Sequence, residues 1–324
     1  MTSKNDLQVI LGTGAVGLTV KDELCKRGYT RIRMVNRSGK TSEPLGDGIE
    51  FINGDITDQA FAAQLAEGAT VVYNALNPVY HKWDTLVLPL WRGAAQAASA
   101  NHAKLVCMDN LYMYGDTNGE PIHERMPYNA HTKKGKIRIE AARYLHDLHE
   151  SGKVEVVIGR ASDFIGPRVD NSVAGGDFTF KPALRGKRAQ IVGRVDMPHS
   201  YTYMPDVARA LVDLAEADDT AGQVWHIPTA PAVTMKEILE MIYAETGHPL
   251  RYSAASTWMV RMAGLFNPEI REVVEMMYEF NQPFIIDSSK FTERFGWEGT
   301  DVRTRVRNCE VVRRTQRINR LEVV

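Results

Sequence analysis

Long apolar runs are missing from this chain, cysteine is scarce and neither sign of charge prevails. No stretch approaches the roughly 18 consecutive apolar residues that a bilayer-spanning helix needs. The polar start, Ser3-Lys4-Asn5-Asp6, lacks the apolar core of a signal peptide. Three cysteines, Cys25, Cys107 and Cys309, show neither CxxC nor zinc-ligand spacing, which excludes a structural metal site and a disulfide framework as sequence readings. Cys25 falls in a helical pattern and Cys107 in an apolar strand, so both read as buried thiols. A net charge of −1 supplies no global field to attract nucleic acid or an anionic membrane. The expectation is a cytoplasmic protein with no metal, no nucleic-acid partner and no membrane contact. What remains is ordinary for a globular chain: 324 residues, 44% apolar and 24% charged, enough for a large α/β domain and a smaller lobe.

Strand-like runs at 7–11, 32–35, 49–52, 70–75, 104–108 and 154–159 alternate with helix-like runs at 16–27, 59–66, 83–101 and 133–150. Apolar strands that alternate with helices predict a doubly wound parallel sheet of the Rossmann type. Thr57 or Asp58 can cap the helix at 59–66, and Gly28 can close the first helix. Past Arg160 the pattern loosens, with short strands at 190–193 and 223–227 and helical periodicity at 206–217, 234–246 and 268–280. The predicted organisation is a dinucleotide-binding domain over 1–165, with strands and a helix from 190–228 added to it. A discontinuous substrate lobe takes 166–189 and 229–324. The tail arginines Arg303, Arg305, Arg307, Arg313, Arg314, Arg317 and Arg320 read as a solvated helical face.

The richest local signal is Leu11-Gly12-Thr13-Gly14-Ala15-Val16-Gly17, directly after apolar Val9-Ile10. Gly12 allows a tight turn, Gly14 lets a pyrophosphate approach the backbone, and Gly17 lets the helix pack on the strand. The helix start at Ala15 and Val16 then offers N–H groups and partial positive charge to phosphates. The second strand ends Asn36-Arg37-Ser38. An NAD enzyme places a carboxylate near this point for the ribose 2′-hydroxyl. None is present; Asn36 and Ser38 can hydrogen-bond, and Arg37 brings positive charge to a 2′-phosphate. NADP is the expected cofactor, with NAD second.

Later segments converge on one family. Gly54-Asp55-Ile56-Thr57-Asp58 resembles the adenine-contacting motif of short-chain dehydrogenases/reductases. Val72-Tyr73-Asn74-Ala75-Leu76-Asn77-Pro78 is similar to their fourth-strand segment beside the cofactor. Met113-Tyr114-Gly115 resembles the VYG after their catalytic serine strand. Arg160-Ala161-Ser162-Asp163-Phe164-Ile165-Gly166-Pro167 resembles the RxxNxxGP of the extended subgroup, and 199–208 resembles its F-x-Y-V-x-D-V-A stretch. The resemblance covers nearly the whole chain and implies the extended, NAD-dependent epimerase/dehydratase type. It implies cofactor contacts from Gly12, Gly14, Ala15, Val16, Gly17, Asn36, Arg37, Ser38, Asp55, Ile56, Ala75, Leu76, Asn77, Lys136 and Ala161. It also implies a homodimer through the helices at 83–101 and 133–150.

The family's catalytic Ser and Tyr-x-x-x-Lys are not reproduced. Aligned on Met113-Tyr114-Gly115 the serine position falls on Asn110; aligned on Lys136 the tyrosine position falls on Thr132. A threonine hydroxyl titrates far above a phenol, whose free pKa is about 10, so Thr132 cannot shuttle a proton as tyrosine does. Tyr112 is expected on the same strand face as Asn110 and offers a phenol. Tyr128, His199, Tyr201 and Tyr203 are further candidates. The leading expectation is an NADP-dependent reductase or dehydrogenase acting on a small organic carbonyl or alcohol, with Asn110, Thr132 and Tyr112 polarising its oxygen and Lys136 on the ribose. A sugar-nucleotide epimerase or dehydratase with retained cofactor, and a non-catalytic NADP-binding sensor, are the alternatives.

Overall fold

The computed structural model describes residues 3–170, 172, 176 and 178–308. They fall into two units: the chain up to 115, with 128–160 and 207–227, and a second of 116–127, 161–206 and the chain from 228 onward.

The first unit contains β1 (Leu7–Leu11), α1 (Ala15–Lys26), β2 (Ile32–Asn36), β3 (Ile49–Asn53), α2 (Gln59–Leu65), β4 (Ala69–Asn74), α3 (Trp83–Ser99), β5 (Lys104–Asp109), α4 (Lys133–Glu150) and β6 (Val156–Arg160). It closes with α5 (Met204–Glu216), which enters this unit at Val207, and β7 (Gln223–His226). The seven strands form one sheet in the order β7-β6-β5-β4-β1-β2-β3, every pair parallel. All five residues of β1 and of β6 are buried, as strands covered on both faces must be, and this explains the apolar Val9-Ile10-Leu11 and Val156-Val157-Ile158. A side chain as enclosed as Leu18 or Leu145 contributes ~2–3 kcal/mol by leaving water. Strand order reverses between β1 and β4, so the loops after these two strands flank the position where open sheets bind ligands.

Local sequence explains the helix ends that frame this edge. Asp58 caps α2, its carboxylate accepting from the Ala60 and Phe61 N–H groups. At the opposite edge of the sheet, Gly28 takes a φ of +83° just past α1, a conformation that favours glycine. Thr132 caps α4, its hydroxyl accepting from the Gly135 N–H at 3.1 Å.

The second unit is built from short pairs: Tyr201–Tyr203 beside Asp163–Ile165, Val233–Thr234 beside Pro198–His199, and Tyr252–Ala255 beside Ala189–Val192. Phe180, Ile191, Met235, Ile238, Leu239 and Ile242 centre its core.

Several expectations are corrected. Residues 190–206 do not join the large sheet, because β7 occupies the edge of β6 and the strand Ala189–Val192 bonds instead to Tyr252–Ala255. Residues 116–127, expected in the first domain, belong to the second unit, where Ile122 bridges Ile286. The helix expected over 268–280 breaks into Pro268–Val273, a 3-10 turn Val274–Met276 and Tyr278–Asn281. Cys107 is buried, but Cys25 lies on the outer face of α1 and is exposed. Arg305 is not on a solvated face: its buried guanidinium donates to the Thr300 and Tyr201 carbonyls. Arg313, Arg314, Arg317, Arg320 and Cys309 lie outside the described residues. Among the described residues no helix is long and apolar enough to cross a membrane, and no three His, Cys, Asp or Glu side chains are grouped to hold a metal ion.

Candidate functional site

The loops after β1, β2, β3 and β4 carry thirteen of the fifteen residues expected at a cofactor, along one edge of the sheet.

 Those thirteen are Gly12, Gly14, Ala15, Val16 and Gly17 after β1, Asn36, Arg37 and Ser38 at the end of β2, Asp55 and Ile56 after β3, and Ala75, Leu76 and Asn77 after β4; the other two, Lys136 and Ala161, lie on α4 and past β6.

The glycine turn has the shape its sequence predicts. Gly12 has a φ of +106°, and a Cβ there would meet the Ala75 carbonyl oxygen at 3.1 Å. A Cβ on Gly17 would lie 2.0 Å from the Gly12 carbonyl oxygen, so α1 approaches the turn too closely for any side chain. Gly14 differs: no atom of the described residues lies within 4 Å of a Cβ built on it, and as the N-cap of α1 it supplies no side-chain cap. The first N–H groups of α1 therefore face a space bare of side chain, the arrangement a pyrophosphate needs. Ala75 and Leu76 hold the facing loop through bonds from their N–H groups to the Leu11 carbonyl (3.0 Å) and the Asn74 side chain (3.2 Å). The residues present fit a dinucleotide.

At the end of β2 the Asn36 amide donates to Thr13 Oγ1 at 2.5 Å and to the Lys40 carbonyl at 2.7 Å. Its own oxygen accepts from the Gly39 N–H and from the Ser38 hydroxyl. Asn36 and Ser38 thus fix the 36–40 turn. Arg37 projects from it with its side chain 67% exposed and 4.0 Å from Asp55. Asp55 is held in place by the Thr57 N–H (2.9 Å) and hydroxyl (2.8 Å), and these bonds keep its carboxyl below the usual carboxylate range. Ile56 is buried and packs against α3 at Gly93.

The catalytic positions are rearranged. β5 ends at Asp109, and Tyr112 to Tyr114 form a 3-10 turn, so Asn110 and Tyr112 do not share a strand face. Instead the Asn110 side-chain oxygen accepts from the Tyr112 N–H at 3.1 Å. Thr132 is buried and its hydroxyl is engaged in capping α4. Lys136 is exposed. The buried stripe of α4 runs Lys134, Arg138, Ala141, Ala142 and Leu145, so the inward pair at a spacing of four is Lys134 and Arg138, two residues off the expected register. Gly135 permits this approach, since a Cβ there would meet the Tyr112 carbonyl oxygen at 2.5 Å. Lys136→Met is therefore expected to shift stability by less than ~0.5 kcal/mol and to leave dinucleotide affinity unchanged; thermal melting and titration check it.

Around this pair lies a cluster that the sequence reading did not assemble. The Tyr80 and Tyr112 phenols are 2.5 Å apart, and the Tyr112 ring stacks on Trp83 at 5.8 Å. The Arg138 guanidinium lies 4.2 Å from the centre of the Trp83 ring, and Lys134 Nζ lies 5.2 Å from that of Tyr80. Arg138 donates to Asn77 Oδ1 at 2.7 Å and pairs with Asp109 at 3.3 Å. Arg160 meets the other Asp109 oxygen at 3.3 Å and donates to the Tyr114 and Tyr128 phenols at 2.8 and 2.7 Å. Tyr128 is thus a partner of Arg160. Burial opposes the Arg160 charge, but Tyr114, Asp109 and Tyr128 outweigh it and hold its pKa above the ordinary value. The legible signal for Lys134 and Arg138 was the stripe from Leu145, Ala142 and Ala141 traced back one helical turn at a time. Tyr80 had none, because it lies in a loop turn.

In the second unit, Ala161 is buried and His199 pairs with Asp163 at 2.9 Å. Tyr201 and Tyr203 are both buried, and burial raises the Tyr201 phenol above its usual value.

The family model for the NAD-dependent epimerase/dehydratase family matches residues 9–227. No curated protein matches the sequence. Among solved structures, the Bordetella bronchiseptica enzyme WbmH in complex with NAD+ is 19% identical, with a TM-score of 0.73 over 95% of this chain and 98% of its own. The dTDP-glucose 4,6-dehydratase of Bacillus anthracis in complex with NAD is 15% identical, with a TM-score of 0.75 over 93% and 96%. The UDP-glucuronic acid 4-epimerase of Bacillus cereus in complex with NAD is also 15% identical, with a TM-score of 0.75 over 95% and 99%. At these identities the likeness is one of fold.

Proposed function

Because the chain belongs to the NAD-dependent epimerase/dehydratase family, we propose that it binds a nicotinamide dinucleotide, NADP in preference to NAD, and is an oxidoreductase acting on a small organic carbonyl or alcohol. The observation that carries the chemistry is the hydrogen-bonded Tyr80–Tyr112 pair beside Arg138. It brings a phenol and a cation together, as Tyr-x-x-x-Lys does in the family, but from different positions.

The cofactor, when bound, supplies or accepts the hydride. Tyr112 donates the proton to the substrate oxygen during reduction, and Tyr80 passes a proton to Tyr112 through their shared bond. Arg138 favours the tyrosinate that the transfer leaves behind, through its nearby positive charge. Asn110 polarises the substrate oxygen with its amide nitrogen while its oxygen holds the Tyr112 backbone.

The NADP preference rests on Arg37. The solved relatives named above hold NAD; the reading departs from them on the strength of a β2 end that carries Asn36, Arg37 and Ser38 and no carboxylate. Arg37→Ala is expected to weaken NADPH about 100-fold, near 3 kcal/mol, and to change NADH less than threefold. Equal losses for both nucleotides would remove Arg37 from the 2′-phosphate.

A second reading is a sugar-nucleotide epimerase or dehydratase that retains its cofactor, favoured by the fold shared with a dTDP-glucose 4,6-dehydratase and a UDP-glucuronic acid 4-epimerase. The two part on one readout: a net reductase consumes NADPH in step with substrate, while a closed cycle leaves its concentration unchanged.

A further inference from the structure

We infer that the substrate of this site carries a carboxylate bound by Arg138, an inference that rests on the oxidoreductase reading above. Asp109 is shared between two buried guanidiniums, Arg160 on one oxygen and Arg138 on the other, each at 3.3 Å. Among these three groups one carboxylate faces two cations.

The shortage falls on Arg138. Arg160 has the Tyr114 and Tyr128 phenols as acceptors in addition to Asp109. Arg138 has Asn77 on Nη2, but its buried Nε and Nη1 have no hydrogen-bond acceptor among the described residues, and its contact with Asp109 lacks hydrogen-bond geometry. The Trp83 face attracts the cation without accepting an in-plane N–H. A guanidinium does not shed its proton to escape burial, so the missing acceptor must be supplied. Burial correspondingly lowers the Arg138 pKa despite the nearby Asp109 charge, the reverse of Arg160.

The place favours substrate as the supplier. Arg138 bonds to Asn77, an exposed residue past the carboxyl end of β4, on the edge where ligands enter such sheets. A carboxylate brings both oxygen acceptors and the compensating charge. Of the aromatic rings nearby, Trp83 and Tyr112 are buried against each other and against Arg138, and the half-buried Tyr80 is the one that suits an apolar body behind the carboxylate.

Calorimetric titration with benzoate and benzamide, matched in shape and differing in charge, tests this with the full-length protein saturated with NADPH. Benzoate is expected to bind at least tenfold more tightly than benzamide, with the gap narrowing as salt rises. Arg138→Met should reduce it below twofold, and Arg138→Lys should keep part of it. The wild-type comparison decides the matter even if Arg138→Met fails to fold. Equal binding of the two probes overturns the inference, as does a benzoate advantage that survives in Arg138→Met. A benzoate advantage seen only without NADPH also overturns it, because a cofactor group would then be the partner of Arg138. If NADPH itself does not bind, it is the parent reading that fails.

Discussion

Tyr112→Phe is expected to lower the rate of NADPH oxidation about 100- to 10,000-fold, the usual range for removing a general acid, with NADPH affinity changed less than threefold. The phenol lies against Tyr80 at 2.5 Å, and its ring is fixed on Trp83. Phenylalanine preserves that stack and removes only the oxygen. Losing one hydrogen bond costs ~1 kcal/mol of stability, far too little to explain such a rate effect through unfolding. Tyr80→Phe should give a smaller loss, since Tyr80 acts through Tyr112. Steady-state kinetics beside a thermal melt separate the two effects. An unchanged rate in Tyr112→Phe would move the proton to another group and leave the phenol pair as packing.

The second large effect comes from the glycine turn and divides one motif into two roles. Gly17→Ala places a methyl 2.0 Å from the Gly12 carbonyl oxygen and 2.9 Å from its carbon, both backbone atoms that cannot swing aside. Overpacking of this kind costs ~3 kcal/mol, or roughly 6–12 °C in melting temperature for a domain of this size, and dinucleotide binding should fall with it. Gly14→Ala meets no atom of the described residues within 4 Å, and the Gly14 φ of −80° suits an L-residue. It should melt within about 2 °C of the parent yet bind NADPH at least tenfold more weakly, because the methyl occupies the approach of the pyrophosphate. Unchanged affinity in a folded Gly14→Ala protein would place the phosphates elsewhere.

The first 110 residues were legible because their signals are local. An apolar run buried on both faces, a glycine turn and an amphipathic helix each declare themselves within about a dozen residues. The loops after β1 to β4 followed from them. The catalytic corner was less legible, for three physical reasons. Lys136 has the spacing the family motif demands, whereas the buried stripe through Leu145 and Ala141 brings Arg138 and Lys134 inward. A strand period would put Asn110 and Tyr112 on one face, but β5 stops at Asp109 and the chain turns. Tyr80 meets Tyr112 across 32 residues, a contact no local pattern encodes. The place of 190–206 is not legible locally because a four-residue strand does not reveal its partner; Ala189–Val192 pairs with a segment some sixty residues later.

The most direct test is equilibrium titration of nucleotide-free protein with NADPH and NADH in parallel, at one salt concentration. NADPH is predicted to bind about 100-fold more tightly, near 3 kcal/mol. Tighter NADH binding would contradict the role given to Arg37, and binding of neither nucleotide would contradict the dinucleotide site itself.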